Sequence, residues 1–123
     1  MLLPRPTRCR VEGTPFVRPM RLACSVEKAG AIAGDAQVAA ALFGATCAVG
    51  IAEDAPFSIR VLYDDKLEGE AYALSLSEKS GEIRAATGAG VQRAFATLAQ
   101  IFTGNENGLL PALEIEDAPQ LAL

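Results

Sequence analysis

A chain of 123 residues, half of them apolar, is long enough to bury a hydrophobic core as a single globular domain. Its net charge of −4 argues against a nucleic-acid partner, because phosphate binding needs clustered Lys and Arg. The chain has no His, which removes the usual general base and the commonest zinc ligand, and its three Cys lack the number and spacing of a disulfide framework.

The N-terminal third alternates short extended segments with Gly and Pro, which is typical of short strands. The predicted strands are residues 8–12, 16–17 and 21–26. Because the basic residues of this region have no interleaved aromatics, we interpret them as a solvated strand face. They are Arg5, Arg8, Arg10, Arg18 and Arg21.

A short helix is predicted next, over about residues 36–43. Asp35 precedes an Ala-rich run and is a good N-cap, because its carboxylate can accept from free backbone N–H groups. Gly44 follows the run and is a suitable end for the helix.

The second half predicts a β-hairpin, because alternating segments flank a polar connection that contains Gly. The predicted strands are residues 59–63, 70–77 and 82–86, with the hairpin connection at residues 78–81.

A longer amphipathic helix follows, with apolar residues at helical spacing. The apolar stripe consists of Val91, Ala94, Phe95, Leu98, Ile101 and Phe102. Thr87 is its predicted cap, and Gly104 with Asn105 its predicted end. The order of elements indicates an α+β fold, with a mostly antiparallel or mixed sheet and two helices packed on one face.

Glu114 and Glu116 alternate with Leu113 and Ile115 on the last predicted strand, so the two carboxylates share one face at roughly 6–7 Å. That separation overlaps the spacing of glycosidase carboxylates. Acidic residues are also routine on the solvent face of an edge strand, and we favour this second interpretation because nothing nearby indicates a tuned acid.

Two other segments suggest ligand sites but are better explained as turns. Gly88-Ala89-Gly90 resembles the start of a dinucleotide loop, yet Arg93 stands where the third Gly would be, so a tight strand-to-helix turn is favoured. The acidic loop at residues 64–70 does not fit the register of an EF-hand and is interpreted as a solvated turn. We predict no catalytic, cofactor-binding or metal-binding residue in this chain, and the three Cys are interpreted as inert thiols.

The second half resembles the small domain that precedes the catalytic barrel in β-N-acetylhexosaminidases of glycoside hydrolase family 20. The resemblance rests on the order and spacing of short motifs from residue 59 to residue 119, while Leu3-Pro4 and Pro6 resemble the start of the same domain. Its residues are Glu70, Tyr72, Leu74, Ile83, Ala85, Ala86, Thr87, Ala89, Gly90, Thr97, Leu98, Gln100, Leu110, Pro111, Ile115, Asp117 and Pro119. Gln120 and Leu121 replace the Arg and aromatic residue that the family usually has after this Pro.

The resemblance implies a zincin-like accessory domain over residues 1–119, with residues 120–123 starting a linker into a (β/α)8 catalytic barrel beyond this sequence. The family cleaves terminal N-acetylglucosamine or N-acetylgalactosamine from glycans with retention, by attack of the substrate's own acetamido oxygen and without a metal or other cofactor. Its catalytic Asp-Glu pair matches no residue here. We therefore expect this chain to have no turnover alone and to have the barrel of its parent chain as its partner.

Three alternatives stay open at this stage. The chain resembles the accessory domains of family 84 enzymes and α-glucuronidases, and it could instead be a free-standing carbohydrate- or protein-binding module. An isolated fragment would expose the apolar patch that its partner covers, and it could form a dimer through that patch. No apolar run has the length of a membrane span, and the expected compartment is the cytoplasm or, with an export signal outside this sequence, the exterior.

Overall fold

The computed structural model of the chain describes residues 8–11, 15–17, 19–55, 57–67, 69–104, 109–110 and 112–117. Its strands are β1 (Arg8–Val11), β2 (Phe16–Val17), β3 (Arg21–Lys28), β4 (Gly50–Ile51), β5 (Phe57–Tyr63), β6 (Tyr72–Leu76), β7 (Ser80–Ala85), β8 (Leu109–Leu110) and β9 (Leu113–Asp117). The helices are α1 (Ala33–Cys47) and α2 (Gly88–Thr103), and a 3-10 turn at Gly30–Ile32 leads into α1.

Seven strands form one mixed sheet in the order β1-β9-β6-β7-β5-β3-β4, and β2 pairs with β8 in a small second sheet. The pairs β1–β9, β9–β6 and β6–β7 are antiparallel, whereas β7–β5, β5–β3 and β3–β4 are parallel. Both helices pack on one face of the large sheet. The structure thus confirms the predicted α+β class, with a mixed sheet and two helices on one side.

Helix α2 forms as its sequence pattern predicts. The Thr87 side chain accepts a hydrogen bond from Gly90 N at 3.0 Å, which caps the helix, and Gly104 ends it. The predicted apolar stripe faces the sheet, with Val91, Leu98 and other stripe residues fully buried. The sequence pattern predicts this helix and its buried side correctly because one side of the helix is polar and the other is apolar.

Helix α1 is longer than predicted, and both predicted boundaries are wrong. It begins at Ala33, so Asp35 lies in its first turn and is not the N-cap. Gly44 is buried inside the helix, where a Cβ would meet Ile51 Cγ1 at 2.9 Å, and the end is instead Ala48 in the left-handed conformation at φ 54°. Gly44 is therefore required by the close approach of β4 and does not terminate the helix.

The two helices pack on each other through aromatic rings. Phe43 of α1 contacts Phe102 of α2 edge to face, with ring centroids 5.0 Å apart, and contacts Phe95 at 5.8 Å. Below them, Tyr72 of β6 shares a hydrogen bond with Thr97 of α2, at 2.5 Å between the two hydroxyl oxygens. This bond satisfies two polar groups that are buried between helix and sheet.

Strand β9 lies inside the sheet, between β1 and β6, so the prediction that Glu114 and Glu116 belong to an edge strand is wrong. The N-terminal segment returns to cover that edge as β1, a pairing that no local pattern indicates. The predicted linker at residues 120–123 lies outside the described residues, as do Asn105 and several residues of the family resemblance: Leu3, Pro4, Pro6, Pro111 and Pro119.

Candidate functional site

The face of the large sheet opposite the helices, here called the open face, carries Glu114 and Glu116 side by side on β9. Both are exposed, and Arg10 Nη2 of β1 lies 3.4 Å from Glu114 Oε2. Beside them is a shallow depression of about 170 Å³ over Ala73 and Ser75 of β6. The two carboxylates thus belong to a solvated surface with an ion pair, not to an enclosed cleft.

The glycines that suggested a dinucleotide loop serve the packing of α2. A Cβ on Gly90 would lie 2.7 Å from the Ala71 carbonyl oxygen and 3.1 Å from the Ala85 Cβ, so the helix can approach the sheet this closely only with Gly. At Gly88, a Cβ would collide with the carboxylate of Asp35. A carboxylate therefore already lies against the first residue of α2, where a phosphate would have to bind.

The acidic loop after β5 is a turn held by its own backbone. Asp64 Oδ1 accepts from Lys66 N at 3.0 Å, and the Asp64 carbonyl accepts from Leu67 N at 3.2 Å. Gly69, at φ +57°, offers its carbonyl to the Thr87 hydroxyl at 2.6 Å. Glu68 lies outside the described residues, and among those described no group of His, Cys, Asp and Glu could hold a metal ion.

The two cysteines whose side chains the structure describes are reduced thiols in largely apolar surroundings. Cys47 is buried in α1, and Cys24 is half-buried between β3 and α1. Burial raises the pKa of the Cys24 thiol, which disfavours the nucleophilic thiolate form. The Cys9 side chain is outside the described part of the chain.

The basic residues behave as a solvated face where they are described. Arg10 pairs with Glu114 as above, and Arg21 Nη2 lies 3.3 Å from Asp54 Oδ1, with all four side chains more than half exposed. Pairs this exposed contribute little stability. Arg5, Arg18 and the Arg8 side chain are not described.

Helix α1 presents an unusual surface, because it is apolar on its outer side as well as its inner side. Its inner residues Ala36, Ala40 and Phe43 are buried in the core, yet Val38 is 60% exposed and Leu42 is 65% exposed on the opposite side. The exposed residues Val38, Ala41, Leu42 and Ala45 are here called the α1 face. A helix that is apolar all round is typical of one buried within a larger protein.

Apolar grooves flank the α1 face on both sides. The groove between α1 and α2 has a volume of about 310 Å³ and is lined mainly by Leu42, Phe43, Phe95, Ala96 and Ala99. The groove between α1 and the β3–β4 edge has a volume of about 220 Å³. The helix and the two grooves together make a largely apolar surface with room for side chains of a partner, interrupted by the polar side chains of Gln37, Thr46 and Gln92.

Sequence reasoning expected an exposed apolar patch but did not locate it. The signal was present, because residues 36–47 contain no charged side chain, which is uncommon for a helix with one face in water. Neither helix in the described part of the chain is long and apolar enough to cross a membrane.

Comparisons with known proteins agree with the resemblance. The family model described as glycosyl hydrolase family 20, domain 2, matches residues 1–118. Among solved structures, the GH20 exo-β-N-acetylglucosaminidase from Vibrio harveyi in complex with N-acetylglucosamine has a TM-score of 0.74 at 23% identity, over 97% of this chain and 19% of that one. No curated protein sequence matches the chain.

Two further structures share the fold. The β-N-acetylhexosaminidase from Bacteroides fragilis NCTC 9343 has a TM-score of 0.64 at 23% identity, covering 95% of this chain and 24% of that one. A protein named CpGH84D has a TM-score of 0.75 at 13% identity, covering 95% of this chain and 23% of that one. The present chain therefore spans about a quarter or less of each of these proteins.

Proposed function

Because the chain belongs to the family of glycosyl hydrolase family 20, domain 2, we propose that it is a non-catalytic domain of a β-N-acetylhexosaminidase. The parent enzyme would release terminal N-acetylglucosamine or N-acetylgalactosamine from glycans, with all catalytic groups in a separate barrel domain. The three candidate sites of this chain support a non-catalytic role. The carboxylates of β9 lie on a solvated face, the glycines before α2 serve helix packing, and the acidic loop is a turn. Residues 1–119 would form the domain and residues 120–123 the start of the link to the barrel.

The partner of the α1 face, in this proposal, is the catalytic domain of the same parent chain. The observation that carries it is the exposure of Val38 and Leu42 between two apolar grooves, on a helix that already fills the core with its other side. Because Val38 and Leu42 are already partly buried, burying their remaining surface contributes about 1–2 kcal/mol each. These side chains therefore add little to the isolated domain but would stabilise a docked one.

A matched pair of substitutions tests the docking in the full-length parent. Val38→Glu would put a charge into the proposed interface, whereas Val17→Glu would put one on an apolar residue that is 77% exposed elsewhere. We expect Val38→Glu to destabilise the parent by more than about 2 kcal/mol, through lost burial and an unpaired charge. Val17→Glu should change its stability by less than about 0.5 kcal/mol.

The same two variants of the isolated chain serve as the control. Both positions are solvent-exposed there, so both variants should unfold within about 0.5 kcal/mol of the wild type. Equal thermal stability of the two full-length variants would show that α1 does not face the catalytic domain. Self-association of the wild-type isolated chain, lost in Val38→Glu, would identify the same surface as the dimer contact.

The catalytic part of the proposal is tested by assay and by sequencing. The isolated chain should not hydrolyse a chromogenic N-acetylglucosaminide, while the downstream gene should encode a barrel with an adjacent Asp-Glu pair. Turnover by the isolated chain that disappears in Glu114→Gln would instead place chemistry on the open face.

The accessory domain of another glycosidase is the second candidate, and the fold likeness to CpGH84D favours it. A likeness at that level of identity concerns the fold alone, whereas the match to the family 20 domain model extends over residues 1–118. This alternative would be favoured if the full-length parent acts on substrates with terminal N-acetylhexosamine but its barrel lacks an Asp-Glu pair.

A further inference from the structure

The open face is electrostatically divided, and its second half is basic. Strand order places Glu114 and Glu116 on β9, at one side, and Arg60 and Lys28 on β5 and β3, at the other. Three strand spacings of about 4.8 Å separate β9 from β5, which amounts to roughly 14 Å, and β3 lies one spacing further away. That exceeds the Debye length of about 8 Å at physiological ionic strength, so the acidic half is screened from the basic half.

Lys28 reaches the open face only because β3 is irregular. In a regular strand Lys28 would point to the same side as Cys24 and Val26, which line the groove against α1. The register shifts between Ser25, opposite Arg60, and Lys28, opposite Leu62, so that one extra residue lies on β3. Such a bulge re-aims the following side chain to the other face.

As a result, one depression of about 200 Å³ is lined by Ser25, Lys28 and Arg60. The half-buried Leu62 also belongs to its lining. The Lys28 ammonium group is exposed, and it has no hydrogen-bond or ion-pair partner among the described residues. Two cationic side chains and one hydroxyl group thus surround a space close to the size of one sugar ring, and Leu62 contributes an apolar side chain to its lining.

Arg60 is held in place without being neutralised. Glu82 of β7 accepts from Arg60 Nη2 at 3.2 Å with one carboxylate oxygen and from Arg84 Nε at 3.0 Å with the other. Each guanidinium group has five N–H donors, so both retain donors for a ligand. Lys28, Arg60 and Glu82 together keep a net charge of +1, from two positive charges and one negative charge. Arg84 and Glu82 also line the neighbouring depression beside Glu114 and Glu116.

We propose that this depression, here called the basic depression, binds the anionic group of an acidic sugar unit in a glycan, a carboxylate or a sulfate ester. The choice of a glycan as the ligand rests on the proposed function, whereas the choice of an anion rests on the geometry alone. The ring of the sugar would lie over Leu62, and its anionic group would contact Lys28 and Arg60, with Ser25 donating to a sugar oxygen.

The test is a titration of the isolated chain followed by amide NMR shifts, with glucuronate, N-acetylglucosamine 6-sulfate and neutral N-acetylglucosamine as probes. Both anionic sugars should shift the amides of residues 25–28 and 60–62, and the neutral sugar should not. The relative affinities of the two anionic sugars identify the carboxylate or the sulfate as the preferred group. Raising the salt concentration should weaken the binding, because the contacts are charged and exposed.

Lys28→Gln should weaken binding about fivefold or more, since it removes a charge-assisted contact, and Lys28→Arg should retain most of the affinity. Arg10→Ala is the matched control, because it removes a cation from the same face on β1, four strands away from β5. Unchanged binding by Lys28→Gln, equal binding of the neutral sugar, or equal binding of inorganic sulfate in place of the sugars would overturn the proposal. None of these outcomes affects the α1 face, so a failure here is distinguishable from a failure of the docking proposal.

Discussion

The same substitution, Gly to Ala, should have opposite effects at the starts of the two helices. Gly34 lies in the first turn of α1, and a Cβ there would meet nothing within 4 Å. Gly34→Ala should therefore stabilise the chain by about 0.4–1 kcal/mol, because Ala restricts the unfolded backbone and favours helix. Gly90 lies in the first turn of α2, where the same Cβ would meet the Ala71 carbonyl oxygen at 2.7 Å.

The magnitude at Gly90 follows from three terms. Helix propensity favours Ala by up to about 1 kcal/mol. Overpacking against the sheet costs about 1–3 kcal/mol, because the contact is with backbone and with the Ala85 Cβ, neither of which can rotate away. A shift of α2 would also weaken the hydrogen bond from Gly90 N to the Thr87 hydroxyl, which contributes about 1 kcal/mol. Gly90→Ala should thus destabilise the chain by about 1–3 kcal/mol in total.

Urea unfolding of the two variants and the wild type is the assay. With a denaturant dependence of about 2 kcal/mol per molar, Gly34→Ala should raise the midpoint by about 0.2–0.5 M and Gly90→Ala should lower it by about 0.5–1.5 M. If Gly90→Ala is as stable as Gly34→Ala, then α2 does not approach the sheet as closely as described. In that case the glycines of this turn would need another explanation, and a bound ligand would be the first to examine.

Four further substitutions or conditions have expected outcomes, each measured by chemical or thermal unfolding. Thr87→Ala should cost about 1 kcal/mol by removing the cap of α2, and Thr87→Ser should retain it. Tyr72→Phe should cost about 1 kcal/mol because it leaves the Thr97 hydroxyl without the Tyr72 partner, and the double variant with Thr97→Val should recover part of this loss. Ala48→Gly should stabilise the chain by up to about 1 kcal/mol, since Ala48 ends α1 at a positive φ. Because the pKa of Cys24 is raised in the folded state, its contribution to stability should be constant below the ordinary pKa of a thiol and fall as the pH rises above it, and Cys24→Ala should reduce the loss of stability at alkaline pH.

The elements that could be predicted from the sequence are those whose local pattern coincides with their burial. Helix α2 has one polar and one apolar side, so its period, its cap at Thr87 and its buried face were all predictable. The hairpin of β6 and β7 was predictable for the same reason, because Tyr72, Leu74 and Leu76 alternate with residues of the open face.

The features that could not be predicted depend on distant contacts. The pattern of α1 has no preferred side, so its period could not fix its limits, and Asp35 and Gly44 were assigned local roles that tertiary contacts override. Strands of two residues, such as β4 and β8, carry no pattern at all. The position of β9 inside the sheet depends on β1, which lies more than a hundred residues earlier, as the 104-residue separation of Arg10 from Glu114 shows.

The bulge in β3 could not be predicted from the local sequence pattern either. It determines which side chains the open face carries. If β3 were a regular strand, the Lys28 side chain would lie on the side of α1. A buried, unpaired ammonium group there would be strongly unfavourable. The irregular register removes that conflict and brings the Lys28 charge to the side of Arg60. A feature that first satisfies the folding of the chain thereby also creates the basic depression.

The two sides of the large sheet therefore differ in what they require of their surroundings. Charges on the open face are hydrated or paired, so that face is stable in water with or without a ligand. The α1 face is different, because its Val38 and Leu42 raise the free energy of the isolated domain in water and contribute nothing to its core. A fold that needed only its own core could carry polar residues at both positions. The proposed docking against the catalytic domain would explain their apolar character, and it would leave the open face available to a soluble ligand.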